Sequence, residues 1–201
     1  MGLSVKNIHA NIGEYQRAYL YKLFWEGPTY PNKTAPDGRS LESVLKAVTG
    51  SDKFIRNIDI YNGKAFFPNR KTQEEKIAWA GEFFEVPTVD SSTRDGNLEM
   101  FGDEPMIVYR FFNALKDLTG NEENQAGIWG IAGKFNLGIA QISVDKKTIT
   151  LYRRIIGCRC YEVKMDDNDK AATGISRVTA EIRWDRGELD ASKVGQTLED
   201  D

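Results

Sequence analysis

Between residues 175 and 185 the side chains alternate with a period of two, and this alternation limits the fold more than any other feature of the chain. Val178, Ala180, Ile182 and Trp184 fall on one side, and Arg177, Thr179, Glu181, Arg183 and Asp185 on the other. A strand so patterned lays one face on a core and turns a mixed-charge face outward. Its backbone groups need partners on both edges, so the chain must supply a sheet.

Other segments fit that requirement. Residues 19–26 (YLYKLFWE) are aromatic-rich, which suits a partly buried pleated surface. Residues 54–61 (FIRNIDIY) read as a strand that reaches a hairpin turn at Asn62-Gly63. Residues 139–144 and 148–156 flank Asp145-Lys146-Lys147, a second expected hairpin. Residues 72–80 carry two signals. Thr72 and Glu75 have the spacing of a helix-capping box, while Ile77 and Trp79 alternate with Lys76, Ala78 and Ala80; strand is preferred.

Helices are fewer. Residues 103–118 predict a long one, with Asp103 as cap, Pro105 in the first turn and Gly120 at the end. Its apolar stripe is Ile107, Val108, Phe111, Leu115 and Leu118. A short helix is expected over 41–48, capped by Ser40 and stopped by Gly50. It follows an irregular loop, residues 28–39, that holds three of the six prolines. About seven or eight strands and one substantial helix make a mostly-β (α+β) sandwich or barrel with a packed helix. A chain of 201 residues fits one domain.

Charge and residue usage exclude several functions. The net charge of −3 argues against avid nucleic-acid binding, which rests on lysines and arginines neutralising phosphates. From Gly187 onward five acids (Glu188, Asp190, Glu199, Asp200, Asp201) meet one base, Lys193, and the rest of the chain is close to neutral. That acidic end is expected to be mobile or docked on a partner. No apolar run approaches the length of a membrane span. Cys158 and Cys160 form no secreted disulfide framework. On a strand they share a face, with Cβ atoms too far apart to bond each other; buried free thiols are expected, and a bond to a neighbouring subunit is the minor alternative. His9 is the one histidine, and no nucleophile–base pair can be placed by spacing. No catalytic, cofactor-binding or metal residue is assigned, and no cofactor is expected. Residues 165–169 (MDDND) lack the glycine and terminal glutamate of a calcium loop and read as an acidic turn. Tyr109, Phe111 and Phe112 read as helix packing, and Arg153 and Arg154 as rim or inter-subunit residues or contacts to DNA.

The order of these segments resembles the tail tube proteins of contractile-tailed (T4-like) bacteriophages. The likeness is carried by the aromatic first strand at 19–25, by Lys76-Ile77-Ala78-Trp79-Ala80-Gly81, and by a strand, Asn97–Phe101, running through Gly102 into Asp103-Glu104 before the helix. It continues in Lys147-Thr148-Ile149-Thr150, in Gly157 as a glycine followed by a turn, in the acidic loop 165–169, and in a last strand from Arg177 to Asp185. It covers about Tyr15 to Gly187. It departs at Cys158-Arg159-Cys160, where such proteins often show Leu-Trp-Pro, and at residues 28–50, which look like an insertion.

The resemblance implies a single tail tube domain over 1–201, with an inserted loop and helix at about 28–50 and an acidic tail at about 187–201. It implies hexameric rings that stack head-to-tail, each copy giving four strands to a continuous inner β-barrel of about 24 strands with an open channel. The function so implied is structural and not enzymatic: an inner tube that conducts phage DNA into the host during contractile ejection, located in the virion tail and made in the host cytoplasm. The implied partners are further copies of the chain, the sheath, the tape measure protein and unspecifically held DNA in the lumen, and the baseplate and terminator, with no membrane. Segments 28–40, 62–73 and 86–97, with residues 1–14, are the expected ring–ring contacts. The alternatives are a tube-fold baseplate or terminator protein, or a type VI secretion tube. From another class, a small β-rich enzyme or carbohydrate-binding module would be a monomer with a concave site.

Overall fold

Residues 149–165 form one 17-residue strand, and the sheet is organised around it. The computed structural model describes residues 21–35, 38–50, 54–55, 57–66, 72–79, 82–90, 94–102, 106–119, 130–165 and 176–198, with backbone alone for 72–79 and 82–90. The described elements, in chain order, are β1 (Tyr21–Pro28), α1 (Leu41–Thr49), β2 (Asn62–Lys64), β3 (Thr72–Trp79), β4 (Glu82–Asp90) and β5 (Asp95–Phe101). Then come α2 (Ile107–Thr119), β6 (Phe135–Ile142), β7 (Ile149–Met165), β8 (Arg177–Arg183) and β9 (Arg186–Leu189). Seven strands make one antiparallel sheet in the order β1-β6-β7-β8-β5-β2, with β9 also on β7; β3 and β4 pair with each other as a separate hairpin.

The long strand divides its length between two half-sheets. Its first part, 149–158, pairs with β6, and 153–156 take β9 on the other edge. Its second part, 159–165, pairs with β8. The strand bends between the halves at Gly157, where φ is +72° and the register against β6 shifts. A glycine in the left-handed region at a register shift is the residue a β-bulge needs, and it bends the strand. Asn136 fixes the bend, its Oδ1 accepting from Gly157 N at 3.2 Å and from Thr29 Oγ1 at 2.8 Å. The Asp185 carboxylate lies over the Gly157 α-carbon where a Cβ would stand, and Lys134 holds it at 2.5 Å.

One face of this sheet and both helices enclose the core. Alternate residues point into it: Leu23 and Trp25 from β1, Phe135, Leu137 and Ile139 from β6, Ile155, Cys158 and Cys160 from β7, and Val178, Ala180 and Ile182 from β8. From α2 come Val108, Phe111, Phe112, Leu115 and Leu118, one stripe at helical spacing. Trp25 stacks on Phe135 at 4.9 Å and meets Phe111 edge-on at 5.7 Å, which ties β1, β6 and α2 together. In α1, Ser40 and Ser43 exchange capping hydrogen bonds, and Gly50 ends the helix in the left-handed region.

The far ends of the sheet are joined by side chains. Asp59 Oδ1 accepts from Leu23 N at 2.6 Å on β1, and the Tyr21 hydroxyl accepts from Ala65 N at 3.1 Å just past β2. Burial raises the Asp59 carboxyl above the ordinary range, against the bond from Leu23 N. This clasp closes the sandwich without a strand ladder.

Several expectations change. Residues 54–61 are not a strand: Phe54 and Ile55 are helical and Ile58–Tyr61 form a 3-10 turn. Phe54, Ile58 and Tyr61 reach the core at helical spacing, which outweighs the β propensity of the segment. Asn62-Gly63 is no hairpin turn but part of edge strand β2, with Gly63 at a register shift. Residues 72–79 are strand. Of the expected contact loop 86–97, residues 86–90 belong to β4 and 95–97 to β5. Gly157 starts no turn, because β7 runs through it. The short helix expected over 41–48 is present as α1, capped by Ser40 and ended by Gly50. The hairpin at 145–147, the loop after Pro28 and the alternation of β8 are as expected. Asp103, Pro105, Gly120, His9, residues 1–14 and 166–169 lie outside the described residues.

The acidic segment from Gly187 lies on its own sheet through Leu198. Its strand β9 pairs with β7, Gly195 N donates to Ile149 O at 2.8 Å, and Thr197 bridges to Thr148. Leu198 packs with Ala140, Ile149, Tyr152 and Phe24 in a small second core on the opposite face of the sheet.

Gly157→Ala should test the bend: a Cβ would meet the Asp185 carboxylate at a backbone angle that L residues resist. A loss of about 1–3 kcal/mol is expected in urea unfolding, with the slope unchanged.

Candidate functional site

The outward face of the second half-sheet (residues 159–165 of β7, with β8, β5 and β2) is polar and internally neutralised. Lys64 meets Glu99 at 3.0 Å, Arg177 meets Glu99 at 3.9 Å, Lys164 meets Glu162 at 2.9 Å, and Arg183 meets Glu181 at 3.0 Å. The shallow depression among Asn97, Glu162, Lys164, Thr179 and Glu181 holds about 90 Å³. A small-molecule pocket is about 300 Å³ or more. This face offers a lining, with acids and bases alternating, rather than a concave site.

Among the described residues, both edges of this half-sheet lack a partner strand. On β7 the residues after Cys158 pair with β8 but have no β6 partner, because β6 ends at the Phe135–Cys158 pair. On β2 the edge away from β5 carries no strand. Each edge also carries a single extra residue, Tyr161 on β7 and Gly63 on β2. Tyr161 is 56% exposed, with the Arg183 guanidinium 3.4 Å above its ring.

On the same outward side of the first half-sheet sits a buried carboxylate. Glu26 lies at a register shift of β1, beside Gly27 in the left-handed region, and its side chain is 8% exposed. Tyr152 Oη donates to Glu26 Oε1 at 2.6 Å, Arg154 Nε to Oε2 at 2.5 Å, and Lys193 Nζ to Oε1 at 3.2 Å. Burial pushes the Glu26 carboxyl up, but these three donors outweigh it and hold it below the usual range. Burial and the Glu26 charge push the Tyr152 phenol well up, so it stays a donor. Gly138 gives the phenol its place, since a Cβ there would overlap the hydroxyl. The cluster joins β1, β7 and the C-terminal segment, and its geometry is that of a staple.

No family model matches the sequence, and no curated protein matches it. Solved structures do match by fold. A chain of the anti-feeding prophage baseplate superposes with a TM-score of 0.55 at 11% identity, covering 91% of this chain and 100% of that one. The sheath/tube terminator of an extracellular contractile injection system, in its extended state, gives 0.54 at 9%, covering 90% and 99%. The tube-terminating cap of the anti-feeding prophage gives 0.51 at 11%, covering 89% and 93%. The chain has the contractile-tube fold.

In this contractile-tube fold the sequence-derived residues fall as follows. Cys158 and Cys160 are free and fully buried on one face, as expected. Burial raises both thiols, Cys160 to about 12, so they pack as small apolar groups, and neither reaches the surface for a bond to a neighbour. Phe111 and Phe112 pack in the core, and Tyr109 lies against it. Arg154 pairs with Glu26 of its own chain, and Arg153 stands opposite Ile139. Arg177, Thr179, Glu181 and Arg183 line the polar face. Sequence reasoning passed over Glu26, Asp59 and Tyr161. The signal for Glu26 was Glu26-Gly27-Pro28, an acid placed where a strand must irregularly end.

Glu26 sets a pH dependence. Its folded pKa is lowered, so its contribution is full above the ordinary glutamate range and disappears as pH falls through the folded value. Asp59 acts with the opposite sign, so comparing variants isolates Glu26. Glu26→Gln should cost about 1–3 kcal/mol at pH 7, and the gap from the parent should narrow at pH 3, read by thermal unfolding at both pH values.

Proposed function

We propose that this protein is a structural component of a contractile tail, and that copies of it join edge to edge into rings that stack as the inner tube of a phage tail. The observation that carries the proposal is the half-sheet with two open edges. Its strands alternate strictly in direction: β7 opposes β8, β8 opposes β5, and β5 opposes β2. With four alternating strands per copy, β2 of one subunit runs antiparallel to β7 of the next wherever a rotation brings them together. The same contact then repeats around a closed ring. Six copies would build a barrel of about 24 strands, wide enough for an open channel.

The polar face would then line that channel. Because each of its acids Glu99, Glu162 and Glu181 already holds a base of its own chain, the wall offers few free cations to retain phosphate. DNA, and the tape measure protein before it, would slide past without specific binding. The sheath would surround the tube, and the baseplate and terminator would cap it, in an assembly located in the virion tail. The role is structural, with the whole chain as one tube domain, the segment at 28–50 an insertion in it and residues 187–201 its acidic C-terminal part.

A second reading has its own support: two of the similar structures named above are a sheath/tube terminator and a tube-terminating cap. A terminator forms one ring and a tube protein stacks without limit, so imaging separates them. Negative-stain electron microscopy of the concentrated protein should show long tubes of even width. Single rings alone would favour a terminator or baseplate part, and compact monomers at every concentration would favour a β-rich binding module instead.

A further inference from the structure

The two open edges are unlike each other in a complementary way. At the β2 edge, Gly63, Glu99, Met100, Phe101 and Arg177 surround a depression of about 60 Å³ that opens to solvent. The Phe101 ring lies beside Gly63, where a Cβ would come within 3.4 Å of it, and Phe101 is itself partly exposed. Ile60, directly before this edge, is 74% exposed. The rim is therefore apolar on one side and carries the Arg177–Glu99 ion pair on the other, with the Arg177 side chain 57% exposed and 3.9 Å from its acid.

At the β7 edge the feature is a knob. Tyr161 is the extra residue of the bulge; one face of its ring lies against the Arg183 guanidinium of its own chain, the side chain is otherwise exposed, and beside it Glu162 is partly exposed. An exposed tyrosine matches a hollow that is apolar on one side. Both features sit on open edges of the same four strands, at opposite ends, as a head-to-tail contact between identical copies requires. A tyrosine with two side-chain torsions gives large contact area at low entropic cost, the usual profile of an interface anchor.

We infer that Tyr161 of one copy seats in the Gly63–Phe101–Arg177 hollow of the next. This rests on the ring-forming reading above and assigns its seam. The bulges then have a purpose in the free chain as well: extra residues on both edges keep unassembled copies from pairing in a wrong register. The seam is formed by matching the two irregularities.

The test uses the full chain with cysteines at facing positions, Tyr161→Cys with Lys64→Cys. Lys64 is 71% exposed and lies in β2 itself, and native Cys158 and Cys160 are too buried to compete. After mild oxidation of assembled material, the double variant should give a ladder of covalent multimers on a non-reducing gel, and each single variant should stay monomeric. In parallel, Tyr161→Ala should raise the concentration needed for assembly about tenfold or more, and Tyr161→Phe should restore it. The melting temperature of unassembled Tyr161→Ala should fall only slightly, by the loss of the exposed Arg183 stack. If rings or tubes are visible but the double variant gives no ladder and Tyr161→Ala assembles like the parent, the seam is wrong and the ring reading stands. If neither parent nor variants assemble at any concentration, both fall together.

Discussion

The bend at Gly157 is the constraint from which the rest of this structure follows. A 17-residue strand that stayed straight would give one long sheet with a single core face. With the left-handed glycine and the Asn136 bonds, β7 instead feeds two half-sheets that curve around α1 and α2. The first half pairs with β6 and β9 and carries the Glu26 staple; the second pairs with β8 and carries the charged face. Asp185 and Lys134 hold the bend from outside, at the point where β8 gives way to β9.

That division leaves the second half-sheet incomplete on both sides, and the incompleteness is selective. The clasp of Asp59 on Leu23 and Tyr21 on Ala65 shows how the fold covers an edge it intends to close. On residues 159–165 of β7 no such cover exists among the described residues, and beside β2 the clasp reaches Asn62 and Ala65 but supplies no partner strand. A fold that caps some edges with side chains and leaves others bare but bulged has treated them differently. Edges left bare are suited to receive a strand from outside. The proposed ring uses those two edges, neither of which has a partner strand among the described residues.

The parts of this fold that depend on local pattern were legible in the sequence. The alternation of Val178, Ala180 and Ile182, the stripe of α2 and the Ser40–Gly50 limits of α1 each follow from spacing within about a dozen residues. The errors came where two local signals competed or a pairing was distant. Phe54, Ile58 and Tyr61 have helical spacing inside a segment rich in β-formers, and packing chose the former. Asn62-Gly63 has the composition of a hairpin turn but serves as an edge, because its partner β5 lies more than 30 residues away. Gly157 reads as a break until Asn136 and Asp185 are seen to hold it inside a strand. The candidate site was half legible: the charged face of β8 was visible in its alternation, whereas the open edges were not. An edge is defined by the absence of a neighbour, and neighbours in this sheet are set by non-local pairing.

Amide hydrogen exchange read residue by residue, on the same protein kept dilute and then assembled, tests most directly whether a neighbouring copy completes the sheet. The account predicts that amides of residues 159–165 facing away from β8, and those on the outer side of β2, exchange fast when dilute and become protected on assembly. Amides of β6, already paired on both edges, should change little. Unchanged exchange at both edges in assembled particles, with protection appearing elsewhere, would contradict it.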